Sequence, residues 1–363
     1  MPDFGSALYL GLRHPSAALG AWDALTLGRP AASAEPPGSR ALAAGLAHLA
    51  GTGAATLLPS TLHLFFDLLA LLGTEPIAVL LDDACYPVAR WGAQQAAARG
   101  ALLQSFPHGA VADALRAATA AARAGRRPVL VADGWFPGAS APPPLRAYAD
   151  IARRLDGYLV LDDTQAFGLF GHEPGRAAPY GLGGGGSLRL HGLAGAHVVL
   201  GASLAKGFGA PCAVLAGDAD LIRRFEAGSA TRRHSSPPSA AAIHAGLGAL
   251  RLNRTHGDAL RSRLWDLVAL WRDGLARHGL AARGGGFPVQ TLELAPGVDG
   301  VRLHQHLRGA GIDTVLQRDG GRATVSFLFR ADHTRADIER AVGVLAACLR
   351  RPGSTTTARL EVL

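Results

Sequence analysis

The chain has 363 residues, 48% of them hydrophobic, so it can bury a large core and is predicted to divide into two lobes. Its formal charge of +8 comes from arginines scattered in pairs, which argues against a nucleic-acid-binding surface. The longest apolar runs, such as Leu62–Leu72, are too short and too interrupted for a membrane span. No secretory signal is recognisable, and the three widely spaced cysteines show no metal-ligand pattern. We therefore expect a cytoplasmic protein without a metal.

Short apolar runs alternate with helix-period segments over most of the chain. Strands are predicted at 55–58, 77–81, 102–106, 128–132, 157–161, 197–200 and 213–216. Most of the gaps carry helical patterns, at 87–99, 110–124, 143–155 and 221–227. This alternation predicts an α/β fold with a mostly parallel, seven-stranded sheet and helices on both faces.

The last third of the chain predicts a smaller α+β domain. A helix over 258–278 precedes strands at 289–294, 314–317 and 323–329, with helices near 301–308 and 335–349. The predicted boundaries are 1–50 for an N-terminal segment, 51–257 for the large domain, 258–351 for the small domain with its interdomain helix, and 352–363 for a flexible tail. The glycine run Gly183–Gly186 predicts a flexible surface loop.

Lys206 is the only lysine among the 36 Lys and Arg residues of the chain. A lysine can lose its proton when it is buried and act as an amine nucleophile, whereas an arginine cannot. Lys206 lies in a turn of small residues just after the strand predicted at 197–200, where ligands of parallel sheets bind. These features predict Schiff-base chemistry. The alternative is a stray surface lysine in an arginine-rich chain.

Two adjacent carboxylates, Asp162 and Asp163, follow the strand predicted at 157–161. An acid in this place can hold a protonated ring nitrogen, and Gln165, three positions later, can reach the other side of the same ring. Tandem acids could equally form a metal site or cap a helix. Since side chains alternate along a strand, Asp163 is predicted to point away from the site.

Several short motifs follow one another in order along the chain. They are Tyr9-Leu-Gly-Leu12, Gly38-Ser-Arg40, Asp133-Gly134, Asp162-Asp-Thr-Gln165 and Ser203-Leu-Ala-Lys206-Gly-Phe-Gly209. Together they resemble the α-oxoamine synthase family, which includes 8-amino-7-oxononanoate synthase, glycine C-acetyltransferase and serine palmitoyltransferase. The resemblance covers most of the chain. It implies the fold of PLP-dependent transferases (aspartate aminotransferase-like, fold type I), pyridoxal 5'-phosphate as the cofactor, and a homodimer with shared active sites.

The resemblance also implies a role for each matching residue. Lys206 would form the Schiff base, and Asp162 would pair with the pyridine nitrogen and keep the ring protonated. The substrate carboxylate needs a bidentate cation, and Arg322 and Arg330 are the alternatives for it. The other expected cofactor-binding residues are Ser60, Thr61 and Leu62 at a helix start, Tyr86, Asp133, Gln165, Ser203, and Ser236 from the neighbouring subunit.

Two positions depart from the family, which has a histidine stacked on the ring where this chain has Tyr86 and another histidine where it has Gln165. A tyrosine can stack, but its hydroxyl is a poorer proton shuttle than an imidazole at neutral pH. We predict a transferase that joins the Cα of an amino acid to an acyl thioester of CoA or a carrier protein, in a specialised biosynthetic pathway. The alternative is a class I/II aminotransferase, in which Lys206 alone can move the proton; a non-catalytic relative ranks third.

Overall fold

The computed structural model describes residues 2–137, 139, 142–319 and 322–350, with the side chains of 319 and 322 left out. The chain forms two compact units. The larger unit consists of Leu12–Phe136 and Pro142–Asp258. The other contains the first eleven residues, a short stretch after Phe136 and the residues that follow Asp258.

The larger unit alternates strands and helices along the chain. Its strands are β1 (Ala54–Leu58), β2 (Ile77–Asp82), β3 (Leu102–Phe106), β4 (Arg127–Asp133), β5 (Tyr158–Asp162), β6 (Val198–Ser203) and β7 (Ala213–Gly217). Its helices are α1 (Ser39–Ala50), α2 (Thr61–Leu72), α3 (Pro87–Ala97), α4 (Val111–Arg123), α5 (Leu145–Arg154), α6 (Gly186–His191), α7 (Ala219–Gly228) and α8 (Ala230–His234). A short 3-10 helix, Ser16–Ala18, precedes them.

The seven strands form one sheet in the order β1-β7-β6-β5-β4-β2-β3. Strand β7 is antiparallel to both of its neighbours, and the other pairings are parallel. The prediction of a mostly parallel, seven-stranded sheet is therefore confirmed, and every predicted strand overlaps an observed one. The strands could be located because a sheet covered on both faces is made of nearly continuous apolar runs.

Both faces of this sheet are buried. Val79, Val129 and Val160 pack in one cluster with residues of α2, α3 and α7. The alternate residues, such as Leu80 and Leu130, are also fully buried and face the side on which α4 and α5 contact the sheet. Because β2 to β6 run parallel to one another, their carboxyl ends lie at one edge of the sheet. That edge carries the polar residues of the candidate site.

The glycine run Gly183–Gly186 is not a flexible surface loop, and that prediction is wrong. Gly184, Gly185 and Gly186 are buried, and the carbonyl of Gly184 accepts a hydrogen bond from the amide of Gly168 at 2.9 Å. A Cβ on Gly186 would lie 2.0 Å from Oδ2 of Asp163, and its φ is +76°. Gly183, Gly184 and Gly186 have φ values of +82°, +75° and +76°, and a Cβ on Gly185 would lie 2.4 Å from the carbonyl oxygen of Leu49. Backbone conformation and close packing therefore both favour glycine in this run.

The second unit contains a four-stranded antiparallel sheet in the order β10-β11-β9-β8. These strands are β8 (Ala282–Arg283), β9 (Val289–Leu292), β10 (Val315–Asp319) and β11 (Arg322–Leu328), with helices α10 (Gly300–Gly309) and α11 (Arg335–Arg350). The tail predicted at 352–363 lies outside the described residues.

Helix α9 (Ala240–Ala276) contributes residues to both units and begins well before the predicted start at Asp258. Glycines in its first half conceal this extension in the sequence. Gly246 packs closely against α1: a Cβ there would lie 2.6 Å from a methyl group of Leu42, so the Leu42 side chain would have to shift. No helix in the described ranges combines the length and the apolar character needed to cross a bilayer.

Candidate active site

The site is built on the carboxyl ends of neighbouring parallel strands. Asp162 is the last residue of β5, and in the strand register it lies opposite Asp133 of β4 and Gly201 of β6. Neighbouring strands are separated by about 4.8 Å, so the two acids stand side by side. Lys206 follows β6 in a turn that continues from the strand end.

The two aligned carboxylates are in an environment that penalises their charge. Asp162 is 5% exposed, and burial raises its pKa, while hydrogen bonds from Thr164 and the charge of Lys206 lower it. Burial and the charge of the nearby Asp162 raise the pKa of Asp133 well above its usual value. The hydrogen bond from the Tyr86 amide and the charge of Lys206 lower this pKa and offset part of the rise. The pair therefore favours a positively charged group beside it.

The Lys206 amine lies in the field of both acids. Burial lowers the pKa of Lys206, and the carboxylates of Asp162 and Asp133 act in the opposite direction. A lysine that is partly desolvated can lose its proton more easily than one at the surface. This is the property that a lysine needs in order to act as an amine nucleophile.

Close backbone packing fixes the turn that carries Lys206. A Cβ on Gly207 would lie 2.4 Å from the carbonyl oxygen of Phe167, in the turn that follows Asp162. On the other side, Nε2 of His14 lies 2.8 Å from the carbonyl oxygen of Phe208. The lysine turn is therefore seated directly against the Asp162 turn.

Helix α2 begins immediately after β1 and offers a place for an anion. Ser60 is its N-cap residue, but its hydroxyl makes a 2.9 Å hydrogen bond with Nδ1 of His63 and does not cap the helix. Thr61 and Leu62 are the first residues of the helix, where amide groups have no partner within the helix. Such amides, together with the helix dipole, bind phosphate groups.

Ser203 ends β6 and is linked to the Asp162 turn. Its amide donates a 2.9 Å hydrogen bond to the hydroxyl oxygen of Thr164, and its own hydroxyl accepts one from the amide of Ala205 at 3.3 Å. The amide of Thr164 in turn donates to Oδ1 of Asp162 at 3.1 Å. Thr164, which the sequence did not single out, thus connects the ends of β5 and β6.

The remaining residues predicted for the cofactor differ in their surroundings. Tyr86, at the start of α3, is 57% exposed, and its amide donates to Oδ1 of Asp133 at 3.1 Å. Gln165 is half-buried in the turn after Asp162. Ser236 is exposed in the segment between α8 and α9. The structure places Tyr86 and Gln165 at the same edge of the sheet as Lys206.

The two arginines predicted for the substrate carboxylate belong to the second unit. Arg330 is 4% exposed, and its guanidinium contacts Oδ2 of Asp3 at 2.7 Å and Oδ1 of Asp332 at 2.8 Å. These two ion pairs favour a structural role for Arg330. Arg322 is the first residue of β11, and its side chain lies outside the described part of the chain. The carboxylate-binding role stays a prediction.

Asp163 is a buried acid whose surroundings the sequence did not reveal. It is 0% exposed, and the amide of Ser187 donates to its Oδ2 at 3.0 Å. Its Oδ1 has no hydrogen-bond partner among the described residues. Burial raises the pKa of this carboxyl to about 7, although Ser187 counteracts part of the rise. Asp163 therefore bonds to α6 through Ser187, whereas Asp162 interacts electrostatically with Lys206.

Asp82, the last residue of β2, is the centre of a further network. It is 1% exposed and accepts hydrogen bonds from Nδ1 of His108 at 2.8 Å and from the hydroxyl of Tyr148 at 3.1 Å. The signal in the sequence was an acid pair, Asp82-Asp83, directly after a predicted strand. The network fixes the loop that follows β3 at the same edge of the sheet.

Sequence comparison finds relatives named 8-amino-7-oxononanoate synthase, although no family model matches the chain. The 8-amino-7-oxononanoate synthase of Nitrosococcus oceani is 31% identical over 240 residues, which are 65% of this chain and 60% of the relative. That of Dechloromonas aromatica is 31% identical over 258 residues, 69% of this chain and 63% of the relative. The chain thus matches less than two thirds of the length of these relatives.

Structural comparison shows the fold that the chain shares with solved enzymes. A serine palmitoyltransferase of Sphingomonas wittichii superposes with a TM-score of 0.79 at 17% identity, over 95% of this chain and 86% of that one. An 8-amino-7-oxononanoate synthase of Francisella tularensis gives 0.71 at 15% identity, over 96% and 98%. The predicted fold and the predicted resemblance are both confirmed.

Proposed function

Because the chain is a homologue of the α-oxoamine synthases and has their fold, we propose that it is a pyridoxal-phosphate-dependent transferase of that type. The proposed reaction joins the Cα of an amino acid to the acyl carbon of a thioester of CoA or a carrier protein, in a specialised biosynthetic pathway. The Cα–H bond and the C–S bond of the thioester break as the C–C bond forms, and the thiol of CoA or of the carrier protein leaves. The observation that carries the proposal is the only lysine, Lys206, lying in the field of two buried strand-end acids, Asp162 and Asp133.

The residues present fit the proposed cofactor. The buried carboxylate of Asp162 has its pKa raised by burial, so a protonated pyridine nitrogen would relieve the cost of its charge. The first turn of α2, with Thr61 and Leu62, would hold the phosphate, and Ser203 would assist. When bound, pyridoxal phosphate supplies an electron sink for negative charge at the Cα of the substrate.

In the proposed mechanism, each of the chain's own residues has a limited task. The Lys206 amine, whose pKa burial lowers, accepts the proton from Cα of the amino acid as a free base. Asp162 would pair its negative charge with the ring nitrogen of the cofactor. The hydroxyl of Tyr86, exposed at the start of α3, donates a proton to the acyl oxygen while the new bond forms. Gln165 would donate a hydrogen bond to the phenolic oxygen of the cofactor.

The second candidate is transamination, in which Lys206 moves the proton without help from Tyr86. The relatives described above are named 8-amino-7-oxononanoate synthases. We therefore favour acyl transfer over transamination.

The assembly and location are part of the same proposal. We propose a cytoplasmic homodimer in which Ser236, exposed between α8 and α9, reaches the phosphate in the partner subunit. We propose no nucleic-acid or membrane partner.

For the substrate carboxylate we prefer Arg322, because the guanidinium of Arg330 is already engaged by Asp3 and Asp332.

Borohydride reduction of the purified protein tests the cofactor. Reduction should attach the cofactor to the peptide that contains Lys206, and Lys206→Arg, which cannot form the bond, should remain unlabelled. Absence of a bound chromophore after reconstitution would contradict the proposal.

The reaction type is tested by adding single amino acids to the loaded enzyme. A long-wavelength absorption band that decays when an acyl thioester is added supports acyl transfer, whereas conversion to pyridoxamine phosphate supports the second candidate.

A further inference from the structure

A hydrogen bond joins the ends of two strands beside the proposed site. Asp133 is the last residue of β4, and β2 is its neighbour in the sheet. The chain leaves β2 through a turn that ends at Tyr86. There the Tyr86 amide donates to Oδ1 of Asp133 at 3.1 Å. This bond connects residues 47 positions apart and fixes the point from which the Tyr86 side chain projects.

The same turn is anchored at two further points. The amide of Ala84 donates to Oδ1 of Asp82 at 2.9 Å, and Sγ of Cys85 donates to the carbonyl of Val131 on β4 at 3.0 Å. Tyr86 precedes Pro87, the first residue of α3, and the proline restricts Tyr86 to an extended conformation. The backbone of the turn is thus held along β4, and the bond to Asp133 is its last anchor before the helix.

The ring of Tyr86 has no comparable support. The side chain is 57% exposed, and none of the ring contacts among the described residues involves it. An exposed ring that must present one face to a ligand depends on the backbone for its direction. The Asp133 carboxylate is the side chain that holds the amide of Tyr86 itself.

We propose that Asp133 is a positioning residue, which holds the amide of Tyr86 so that the tyrosine ring and hydroxyl face the cofactor site beside Asp162. The inference rests on the proposed function, in which Tyr86 covers the cofactor. The competing role is direct contact between Asp133 and the cofactor, which its place opposite Asp162 in the register would also allow. The two roles make different demands on Asp133: positioning needs only an acceptor oxygen, whereas a direct ionic contact needs the charge.

Equilibrium titration of the apoprotein with pyridoxal phosphate, followed by absorbance, separates these roles. Loss of stacking in Tyr86→Ala should weaken cofactor binding about 2- to 12-fold. Asp133→Ala should weaken it to a similar extent, and the double variant should bind no more weakly than Tyr86→Ala alone. Asp133→Asn should recover most of the affinity, because its amide oxygen can still accept from the Tyr86 amide.

Asp67→Ala is the matched control. Asp67 is also a buried acid that accepts a backbone amide, that of Thr231 at 3.1 Å, but on α2. Its variant should lower the melting temperature and leave cofactor affinity unchanged. If Asp133→Ala does not fold, Asp133→Ser replaces it, since serine is too short to reach the Tyr86 amide.

Two results would overturn the proposal: additive losses in the double variant, or an Asp133→Asn variant as weak as Asp133→Ala. Either result would assign Asp133 to the cofactor directly. A wild-type protein that binds no pyridoxal phosphate would instead refute the proposed function itself, so the two failures are distinguishable.

Discussion

Replacing Asp163 with asparagine should stabilise the protein at neutral and higher pH. The Asp163 carboxyl is 0% exposed, and its pKa rises from 3.8 to about 7 because burial disfavours the charged form. One pH unit of pKa difference corresponds to about 1.4 kcal/mol, so ionising this group in the folded protein costs up to about 4 kcal/mol. Asparagine keeps the acceptor for the Ser187 amide and has no charge to bury.

The pH dependence has a definite sign. The folded-state pKa lies above the unfolded one, so the carboxyl imposes no cost below about pH 4, where both states are protonated. The cost grows between about pH 4 and 7 and is complete above that range. Wild type and Asp163→Asn should therefore be equally stable near pH 4. Above pH 7, Asp163→Asn should melt about 5 °C higher.

The measurement is thermal unfolding of the apoprotein, followed by circular dichroism across this pH range. Asp150→Asn is the control, because Asp150 is an exposed acid whose ion pair with Arg153 lies at the surface. Its stability difference from wild type should stay small at every pH. If Asp163→Asn gains no stability between pH 4 and pH 8, or is destabilised throughout, the assignment of a buried, unsatisfied carboxyl is refuted.

Three further substitutions test the site and its packing. Asp162→Asn should nearly abolish turnover while leaving the melting temperature and some cofactor binding, and a variant with normal turnover would contradict the ring-nitrogen role. Tyr86→Phe should slow product formation strongly in an acyl-transfer assay with cofactor affinity unchanged, and a silent variant would favour transamination. Gly186→Ala should lower the free energy of unfolding by at least about 1 kcal/mol, because its Cβ would lie 2.0 Å from Asp163 Oδ2 at a φ of +76°. An unchanged urea midpoint would contradict this.

The sequence alone was sufficient to locate the strands of the large sheet and to single out Lys206 as the candidate reactive amine. Strands such as β2 and β4 are continuous apolar runs because both faces of the sheet are buried, so each is visible without knowledge of its neighbours. Lys206 was identifiable because its chemistry depends on residue type, and it is the only lysine. Asp162 was identifiable because it directly follows such a run.

The partners of these residues could not be predicted in the same way. The bond between Tyr86 and Asp133 spans 47 positions, and that between Asp163 and Ser187 spans 24. Contacts of this kind depend on which strands become neighbours, and the order β5-β4-β2-β3 is a property of the whole sheet. No local pattern in the sequence carries that information.

The glycines show most clearly the difference between what the sequence predicts locally and what the tertiary structure decides. Read locally, Gly183–Gly186 and Gly246 predict flexibility or a weak helix, because glycine has the greatest backbone freedom. In the folded chain, Gly186 lies against Asp163, and Gly246 lies against Leu42 of α1. The sequence located the strands of the large sheet and singled out Lys206 and Asp162 as candidate site residues. Only the tertiary structure decided that these glycines are sites of close packing, since the space available for a side chain is set by residues distant in the chain.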